Sequence, residues 1–262
     1  MPKTFLTQDG SVGLYNEDLD DVYHSKFGAK KEAFEKFIQP VLNIKKPGIL
    51  DICYGIGYNT KTALKYLKDI EFIDCIELDK ELALNSYLYE FDKNINKIIE
   101  NNLKTPDFIY FYFEDLRTAV KKLLNSNKKY NIIFHDGFTP HKQPEVWSEE
   151  IIFKISKLLD KNGIYCSYNH SKPVLNALVK SGLTVGKIIK ENRIISTVAS
   201  FNAKLIKNPL TDFEKETLNT KSAITYKDKT LSLTSKEILK NREEELKISI
   251  LPALSSLKHK AL

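Results

Sequence analysis

Four acidic residues lie at or just past the ends of apolar runs that have the length of buried strands. They are Asp51, Glu77, Asp115 and Asp136. Ligands of parallel α/β sheets bind beyond the carboxyl ends of the strands, so these carboxylates are expected to meet in one crevice. A carboxylate accepts hydrogen bonds from hydroxyl and amino groups and can also take up a proton. The spacing therefore predicts a ligand site that several acidic side chains share.

The first apolar run continues into the loop "DICYGIGYN", in which Gly55 and Gly57 precede a helical pattern. Glycine lets the backbone turn sharply and approach a ligand closely at a helix N-terminus. A dinucleotide-binding loop would contain a third glycine, which this loop lacks. The D/E-x-G-x-G-x-G pattern of S-adenosylmethionine enzymes fits better, with Cys53 in place of its first glycine. We therefore expect an S-adenosyl-L-methionine pocket at this loop, with Asp51 and Asn59 beside the glycines; a turn without a ligand stays open as the alternative.

The acids after the second and third runs have the chemistry to bind a nucleoside. Glu77 comes 26 residues after Asp51, and a carboxylate at that place can accept hydrogen bonds from both ribose hydroxyls. Asp115 can accept a hydrogen bond from the exocyclic amine of adenine, whereas Asp79 is expected to begin a helix. Each acid alone could be a helix cap. Three acids at the tips of successive strands favour a nucleoside site.

The most distinctive stretch is "FHDGFTPHKQPEVW", which follows the fourth strand and contains Asp136 and Phe138. Methylation of an amine requires the nitrogen lone pair to point at the methyl group, and a carboxylate that accepts the N–H groups can hold it there. A nearby aromatic face stabilises the positive charge, and Asp136 can help to remove the amine proton, directly or through water. The alternative is an ordinary turn. His135 and His141 lack the spacing of metal ligands.

Apolar runs alternate with helical patterns between residues 47 and 208. The expected strands are Ile49–Ile52, Phe72–Ile76, Phe108–Phe113, Asn131–His135, Gly163–Tyr168, Thr184–Lys190 and Ile194–Phe201. Near-continuous apolar strands that alternate with helices are typical of a parallel sheet covered on both faces. The last two strands, with only a turn between them, predict an antiparallel hairpin at one edge. The fold class is therefore α/β, a doubly wound Rossmann-like sheet.

Two further segments flank this sheet. Residues 1–46 read as an N-terminal arm and a helix. The arm carries Tyr23 and His24 next to an acidic cluster, and it is either a solvated turn or a lid that brings both side chains to the site. Residues 209–262 read as a C-terminal helical extension with one well-marked helix, which a capping box at Thr234 begins.

Bulk composition limits the class of protein. The chain has 262 residues, 42% of them hydrophobic, and a net charge of +6 that comes mostly from lysine. Its three cysteines are far apart, which favours reduced thiols over a disulfide framework or a zinc site. No apolar run approaches the roughly 20 residues that span a bilayer. We expect a cytoplasmic protein without a metal or a membrane segment, and the sequence leaves its oligomeric state open.

Four stretches together resemble the methyltransferase part of MnmC, the tRNA wobble-uridine enzyme family, in its stand-alone form. They are "QDGSVGLYNEDLDDVYHSKFGAKKEAF", "DICYGIGYN", "FHDGFTPHKQPEVW" and "AITYKDKTLSLTSKEILKNR". The resemblance covers most of residues 7–245. Cys53 and Tyr54 replace the commoner Gly-Phe of the cofactor loop. The FAD-dependent oxidase half of bifunctional MnmC has no room in 262 residues.

This resemblance implies a specific activity and a partner. The family uses S-adenosyl-L-methionine to methylate the aminomethyl group of wobble 5-aminomethyl(-2-thio)uridine, so the anticodon loop of tRNA would be the partner. The family's pattern implies that Tyr54, Gly55, Gly57 and Asn59 shape the cofactor pocket, Glu77 binds ribose, Asp115 binds adenine, Asp136 and Phe138 flank the acceptor amine, and Lys142 and Trp147 lie near it.

Two other functions stay open from the sequence. One is a small-molecule amine transferase that transfers a methyl or an aminopropyl group, as in relatives of spermidine synthase. The other is an RNA-binding protein with a relict pocket. The presence of Glu77, Asp115 and Asp136 argues against the relict, because a pocket without function should lose its carboxylates first.

Overall fold

The computed structural model describes residues 3–23 and 26–258 of the chain. The N-terminal part is a small antiparallel sheet of three strands, β1 (Lys3–Leu6), β2 (Val12–Asn16) and β3 (Asp21–Val22). Helix α1 (Ala29–Ala33) follows and continues into a π-helical turn at Phe34–Ile38. The sequence predicted an N-terminal arm followed by a helix, and the structure forms the arm as three short strands before α1.

Seven strands form the central sheet. They are β4 (Gly48–Ile52), β5 (Phe72–Ile76), β6 (Ile109–Tyr112), β7 (Tyr130–His135), β8 (Leu159–Ser167), β9 (Thr184–Lys190) and β10 (Arg193–Ser200). Their spatial order is β6-β5-β4-β7-β8-β10-β9. The first five strands of this order are parallel, and β10 is antiparallel to both of its neighbours. The doubly wound sheet with an antiparallel hairpin at one edge is thus confirmed.

Helices connect the strands and cover the sheet. They are α2 (Tyr58–Tyr66), α3 (Lys80–Leu84), α4 (Lys93–Lys104), α5 (Leu116–Asn125), α6 (Glu149–Ser156) and α7 (Lys172–Lys180). The chain order reverses between β4 and β7, which are neighbours in the sheet. A crevice opens at such a switch point, beyond the carboxyl ends of the two strands. The loops after β4 and β7 are the two that the sequence marked for chemistry.

The strands of the sheet centre are buried on both faces. One face packs against residues of α5, α6 and α7, and the other packs against the π-helical turn, α2 and α4. Ile49, Leu50 and Ile52 of β4 have no exposed surface, and each fully buried aliphatic side chain contributes roughly 1.5–3 kcal/mol of transfer free energy. This burial fixes the strand whose end carries the glycine loop.

The region after β5 differs from the sequence prediction. Apolar residues recur at helical spacing between Glu81 and Phe91, which predicts one helix there. In the structure α3 ends at Leu84, a 3-10 turn follows at Ser86–Leu88, and α4 comes after it without having been predicted. The side chain of Asp92 accepts hydrogen bonds from the backbone N–H groups of Asn94 and Ile95, and this cap begins α4.

The C-terminal extension packs along the sheet domain. It contains α8 (Asp212–Thr217), α9 (Ser235–Ile248) and α10 (Leu254–Lys258). Capping boxes at Thr211 and Thr234 begin the first two of these helices, and the sequence predicted the second. Leu218 and Ala223 join the same core as α6 and α7. Across the described residues, no helix combines the length and the apolar character that a membrane span needs.

Candidate active site

The loop between β4 and α2 requires glycine at its last position. Gly57 has φ +80 and forms the N-terminal boundary of α2. A Cβ atom there would come within 2.3 Å of the Tyr54 hydroxyl oxygen. Gly55 has φ +58, and its N–H donates to Oε2 of Glu77 at 2.7 Å. The left-handed conformations and the close approach explain both glycines.

Tyr54 supports this loop from the core side. Its side chain is buried, its hydroxyl lies 2.9 Å from that of Ser86, and its ring meets the ring of Phe111 edge-on at 5.3 Å. The carbonyl of Tyr54 accepts the N–H of Gly57 at 2.8 Å. Tyr54 therefore shapes the cofactor loop through the core, and its side chain is not in the lining of the two cavities described below.

Asp51 lies beneath the loop and not in the crevice. Its side chain has no exposed surface, and Oδ2 accepts the hydroxyl of Thr60 at 2.6 Å. Its Oδ1 has no hydrogen-bond partner among the described residues. Burial raises the pKa of Asp51 to about 8, with a further rise from the charge of Asp136. The expectation that Asp51 shares the open crevice with the other three acids is wrong in this structure.

The other three acids do line one cavity. This cavity of ≈ 370 Å³, which we call the cofactor cavity, is lined by Glu77, Asp115 and Asp136 together with side chains of the N-terminal arm and of the loop after β7. Three strands of the parallel sheet thus deliver carboxylates to one space. The arrangement supports the prediction that was made from their positions in the sequence.

Glu77 is held rigidly by backbone N–H groups. Its Oε2 accepts from Gly55 at 2.7 Å, and its Oε1 accepts from Asp79 at 2.9 Å. Burial raises its pKa, although these hydrogen bonds oppose the rise. Asp79 begins α3 by accepting the N–H of Leu82 at 2.9 Å, as predicted. Each carboxylate oxygen of Glu77 can accept a further bond, so the side chain has the capacity to bind a diol.

Asp115 is both a helix cap and one partner of an ion pair. Its Oδ1 accepts the N–H of Arg117 at 2.8 Å and begins α5. The guanidinium of Arg117 also binds the carboxylate through Nε at 3.0 Å and Nη2 at 2.9 Å. Burial raises the pKa of Asp115, but the bonds and charge of Arg117 outweigh it and hold the pKa below its usual value. Asp115 is therefore an ionised acceptor at the wall of the cofactor cavity.

Asp136 lies where the loop after β7 begins. Its N–H donates to the carbonyl of Ile52 at 3.2 Å, which joins the ends of β7 and β4. Its Oδ2 accepts Nδ2 of Asn59 at 2.8 Å. Burial and the like charge of Glu32 raise the pKa of Asp136 to about 7, while Asn59 and Lys36 oppose the rise. A carboxyl group with this pKa can exchange a proton near neutral pH.

Asn59 therefore acts through Asp136. Its side chain is buried, and it is absent from the lining of the cofactor cavity. The sequence grouped Asn59 with the cofactor loop, whereas the structure gives its amide to the carboxylate of Asp136. Its position at the start of α2 sets the orientation of that carboxylate.

A second cavity adjoins the first at Asp136. This cavity of ≈ 180 Å³, which we call the acceptor cavity, is lined by three acids and three aromatic rings. They are Asp21, Glu32, Asp136, Tyr23, Phe138 and Tyr168. Three of these residues, Tyr23, Asp136 and Phe138, also line the cofactor cavity. The two spaces thus share one wall, and Asp136 is the acid in that wall.

The aromatic part of this wall joins the arm to the loop after β7. The rings of Tyr23 and Phe138 meet edge-on with centroids 4.8 Å apart. The hydroxyl of Tyr23 accepts a hydrogen bond from Nδ2 of Asn16 at 3.2 Å. These contacts agree with the prediction that the arm contributes Tyr23 to the site. The other predicted arm residue, His24, lies outside the described residues.

Trp147 occupies a different place from the one that the sequence suggested. It has no exposed surface, and its ring stacks on that of His135 with centroids 4.0 Å apart. Its Nε1 donates to the carbonyl of Phe138 at 2.6 Å, and the hydroxyl of Tyr168 donates to the carbonyl of Gly137 at 2.9 Å. Trp147 therefore fixes the loop from the core and does not line the acceptor cavity. Lys142 is half-buried in this loop and is not part of either cavity lining.

Sequence reasoning missed part of the acceptor cavity. Glu32 on α1 and Tyr168 after β8 belong to the lining, and so does Asp21 of the acidic cluster. Glu32 pairs with Lys36 one turn along the helix. Glu32 is the glutamate near the end of the N-terminal stretch that resembles the MnmC family, and its place in that stretch was the one sequence signal for it. Over the described residues, no group of three or more His, Cys, Asp or Glu side chains is arranged to hold a metal ion.

Comparisons with known proteins give the family. A family model described as an S-adenosyl-L-methionine-dependent methyltransferase matches residues 80–193. The uncharacterized protein MJ0670 of Methanocaldococcus jannaschii is 32% identical over 256 residues, which cover 91% of this chain and 70% of the relative. The crystal structure of MnmC2 from Aquifex aeolicus matches 94% of this chain and 85% of its own, with 27% identity and a TM-score of 0.79. The chain belongs to the MnmC-like family of S-adenosyl-L-methionine-dependent methyltransferases.

Some MnmC-like relatives are much longer than this chain. The tRNA 5-methylaminomethyl-2-thiouridine biosynthesis bifunctional protein MnmC of Campylobacter hominis is 27% identical over 195 residues, which cover 66% of this chain but 29% of that protein. The chain therefore spans about a third of the length of the bifunctional relatives.

S-adenosyl-L-methionine is the cofactor of this methyltransferase family, as the sequence predicted. The residues present fit it, because Glu77 and Asp115 line the cofactor cavity and offer acceptors for the hydroxyl and amino groups of a nucleoside. When bound, the cofactor supplies an electrophilic methyl group on a positively charged sulfur.

Proposed function

We propose that this methyltransferase methylates the primary amine of the aminomethyl group on wobble 5-aminomethyl(-2-thio)uridine of tRNA, to give 5-methylaminomethyl(-2-thio)uridine. The observation that carries the proposal is the acceptor cavity, lined by three acids and three aromatic rings and joined to the cofactor cavity at Asp136. The bifunctional MnmC relatives are named for tRNA 5-methylaminomethyl-2-thiouridine biosynthesis, which supports the choice of acceptor.

The chemistry of the acceptor cavity suits an amine. Asp21 and Glu32 favour an amine that arrives as a cation, because their carboxylates attract positive charge. Asp136 can accept an N–H of the bound amine and take its proton, since its pKa of about 7 leaves a large carboxylate fraction at neutral pH. The rings of Tyr23 and Phe138 stabilise the charge that nitrogen carries during transfer.

The cofactor side of the proposal assigns three contacts. Glu77 accepts the ribose hydroxyls, Asp115 accepts the exocyclic amine of adenine, and the loop with Gly55 and Gly57 approaches the remainder of the molecule. The backbone bonds that hold Glu77 and the guanidinium that holds Asp115 support these roles, because both carboxylates are fixed before a ligand arrives. Lys142 stays a proposed substrate residue, in the loop that would meet the nucleic acid.

The direct test is methyl transfer to a defined tRNA. The full chain is incubated with S-adenosyl-L-methionine carrying a labelled methyl group and with tRNA bearing unmethylated wobble aminomethyluridine, and the nucleosides are then identified. We expect the label in 5-methylaminomethyluridine. A matched tRNA that lacks the aminomethyl group is the control and should remain unlabelled. We place the reaction at the anticodon loop, because the wobble base lies in that loop, and we place it in the cytoplasm.

The acid-lined cavity also has the chemistry to bind a small polyamine, which is the second candidate acceptor. Putrescine and spermidine are therefore included as separate acceptors in the same assay. Transfer of label to a polyamine, with none to the aminomethyl tRNA, would replace the tRNA proposal by a small-molecule amine transferase.

A further inference from the structure

The guanidinium of Arg117 joins the cofactor cavity to the C-terminal extension. Nε and Nη2 bind the two carboxylate oxygens of Asp115 at 3.0 and 2.9 Å. On its other side, Nη1 donates to Oδ2 of Asp228 at 2.9 Å and to the carbonyl of Leu233 at 2.8 Å. One planar group is thus bonded at the same time to the cavity wall and to the extension.

Asp228 is built into the extension as a fixed buried charge. It has no exposed surface, and its Oδ1 accepts the N–H groups of Ser232 and Leu233 at 3.0 and 3.2 Å. Its own N–H donates to Oε2 of Glu150 at 2.7 Å. A buried carboxylate is costly unless a charged partner compensates it. Arg117 is that partner, so the position of its guanidinium is set by the extension.

A second contact links the extension to the same cavity. The hydroxyl of Ser235, the first residue of α9, donates to Oε2 of Glu145 at 2.7 Å. Glu145 lines the cofactor cavity, as Asp115 does. The extension is therefore connected to the cavity wall at two places, directly through Ser235 and indirectly through Arg117.

The residue type at position 117 fits a geometric role. Arginine provides only three of the 40 basic residues of this chain, at positions 117, 193 and 242. A lysine ammonium is a single point charge, whereas the planar guanidinium can bind two carboxylate oxygens side by side and still donate on its other edge. The four side-chain bonds of Arg117 use this capacity.

We propose that Arg117, fixed by Asp228, is a positioning residue that orients the carboxylate of Asp115 toward the exocyclic amine of adenine and so determines the selectivity for an adenine nucleoside. The inference rests on the proposed assignment of Asp115 to that amine. Nη2 occupies one site on Oδ2 of Asp115, and a carboxylate oxygen can accept a second donor. An ionised carboxylate accepts but cannot donate, so it favours an amino group over a carbonyl at the same place of the base.

The test compares two ligands that differ at this group. Dissociation constants of S-adenosyl-L-homocysteine and S-inosyl-L-homocysteine are measured by calorimetry on the full chain, because inosine carries a carbonyl in place of the amine. We expect the wild type to prefer the adenosyl ligand by about 10- to 100-fold, the value of one hydrogen bond to a charged group. Arg117→Ala and Asp228→Asn should reduce this preference to within a few-fold of unity.

Two further variants separate positioning from folding. Arg117→Lys keeps a cation beside Asp228, and we expect it to fold and to retain only part of the preference. Arg242→Ala is the matched control. Arg242 also holds the extension, through the carbonyl of Ile224 at 2.9 Å and the ring of Tyr226 at 4.7 Å, but away from the cavity. It should keep the full preference even where its melting temperature falls.

The outcomes distinguish this inference from the assignment on which it depends. If Arg117→Ala, Arg117→Lys and Asp228→Asn weaken both ligands equally and keep the wild-type ratio, the positioning role is refuted. If the wild type shows no preference, or Asp115→Ala keeps it, the assignment of Asp115 to adenine fails and the inference fails with it. Loss of the ratio in Arg242→Ala as well would reduce Arg117 to a general structural role.

Discussion

A change of charge beside Asp136 should move the pH at which methyl transfer becomes fast. Asp136 must be ionised to accept a proton, and its pKa is about 7. The rate should therefore fall about tenfold per pH unit well below this value and level off above it. Between pH 8 and pH 6 the wild type should lose roughly nine tenths of its rate.

The part of the pH–rate profile in which the rate rises with pH is its acidic limb. Two neighbours of Asp136 should shift this limb along the pH axis in opposite directions. Glu32 raises the pKa of Asp136 by its like charge, so Glu32→Gln should move the limb to lower pH. Asn59 lowers that pKa through its hydrogen bond to the carboxylate, so Asn59→Ala should move the limb to higher pH. Asp136→Asn removes the base and should cost about 10²- to 10⁴-fold at all pH values.

The assay is the single-turnover rate at saturating tRNA between pH 5.5 and 9. The acceptor amine also titrates, but its ionisation is common to all variants, so the comparison depends only on the differences between them. Glu35→Gln is the matched control, because Glu35 lies on the same helical segment but pairs with Lys190 of β9. An unchanged limb in Glu32→Gln, or an equal shift in Glu35→Gln, would refute the reasoning.

Four other changes test separate parts of the site. Glu77→Gln should weaken binding of S-adenosyl-L-homocysteine by about tenfold or more in calorimetry, because a charged acceptor is lost. Gly57→Ala should lower the melting temperature much more than Gly10→Ala, since both have positive φ but only the former meets a side chain within 4 Å. Trp147→Phe should lower the melting temperature and the turnover number and leave cofactor affinity unchanged, because it removes the bond to the loop carbonyl and part of the ring that stacks on His135. For Asp51→Asn, the free energy of unfolding measured with urea should rise relative to that of the wild type as pH increases from 4 to 8. The raised pKa keeps Asp51 protonated in the folded wild type while the unfolded chain ionises, so the wild type loses stability over this window and the variant does not.

Each of these tests has an outcome that contradicts the account. Equal affinities of the wild type and Glu77→Gln for S-adenosyl-L-homocysteine would show that Glu77 does not bind the cofactor. Equal melting temperatures for the two glycine variants would mean that the contact with Tyr54 does not limit the loop. A loss of cofactor affinity in Trp147→Phe would mean that Trp147 supports both cavities. A stability difference that does not change with pH would show that Asp51 does not titrate on unfolding.

The sequence was most informative where a topological rule applies. Parallel strands place their carboxyl ends at one edge of the sheet, so the positions of Glu77, Asp115 and Asp136 were enough to predict a shared cavity. The same rule failed for Asp51, which occupies the next-to-last position of its strand and has no exposed surface. A shift of one residue along a strand moves a side chain to the other face of the sheet. An apolar run interrupted by one acid does not show on which face that acid lies.

Contacts between distant segments could not be predicted. Glu32 lies in the lining of the acceptor cavity because α1 packs against α2 and the N-terminal sheet, and no local pattern encodes that packing. Arg117 meets Asp228 across 111 positions of the chain. Trp147 looked like a site residue by its place in the motif, yet an aromatic ring of that size is also the natural filler of a core. Its stacking on His135 shows which role the fold uses.

The most direct test of the central claim is a crystal structure of the full chain with S-adenosyl-L-homocysteine. The claim is that the cofactor and acceptor cavities meet at Asp136. We expect the ribose hydroxyls on Glu77, the adenine amine on Asp115 and the sulfur facing the wall formed by Tyr23, Asp136 and Phe138. A ligand bound outside this cavity, or one whose sulfur points away from Asp136, would contradict it.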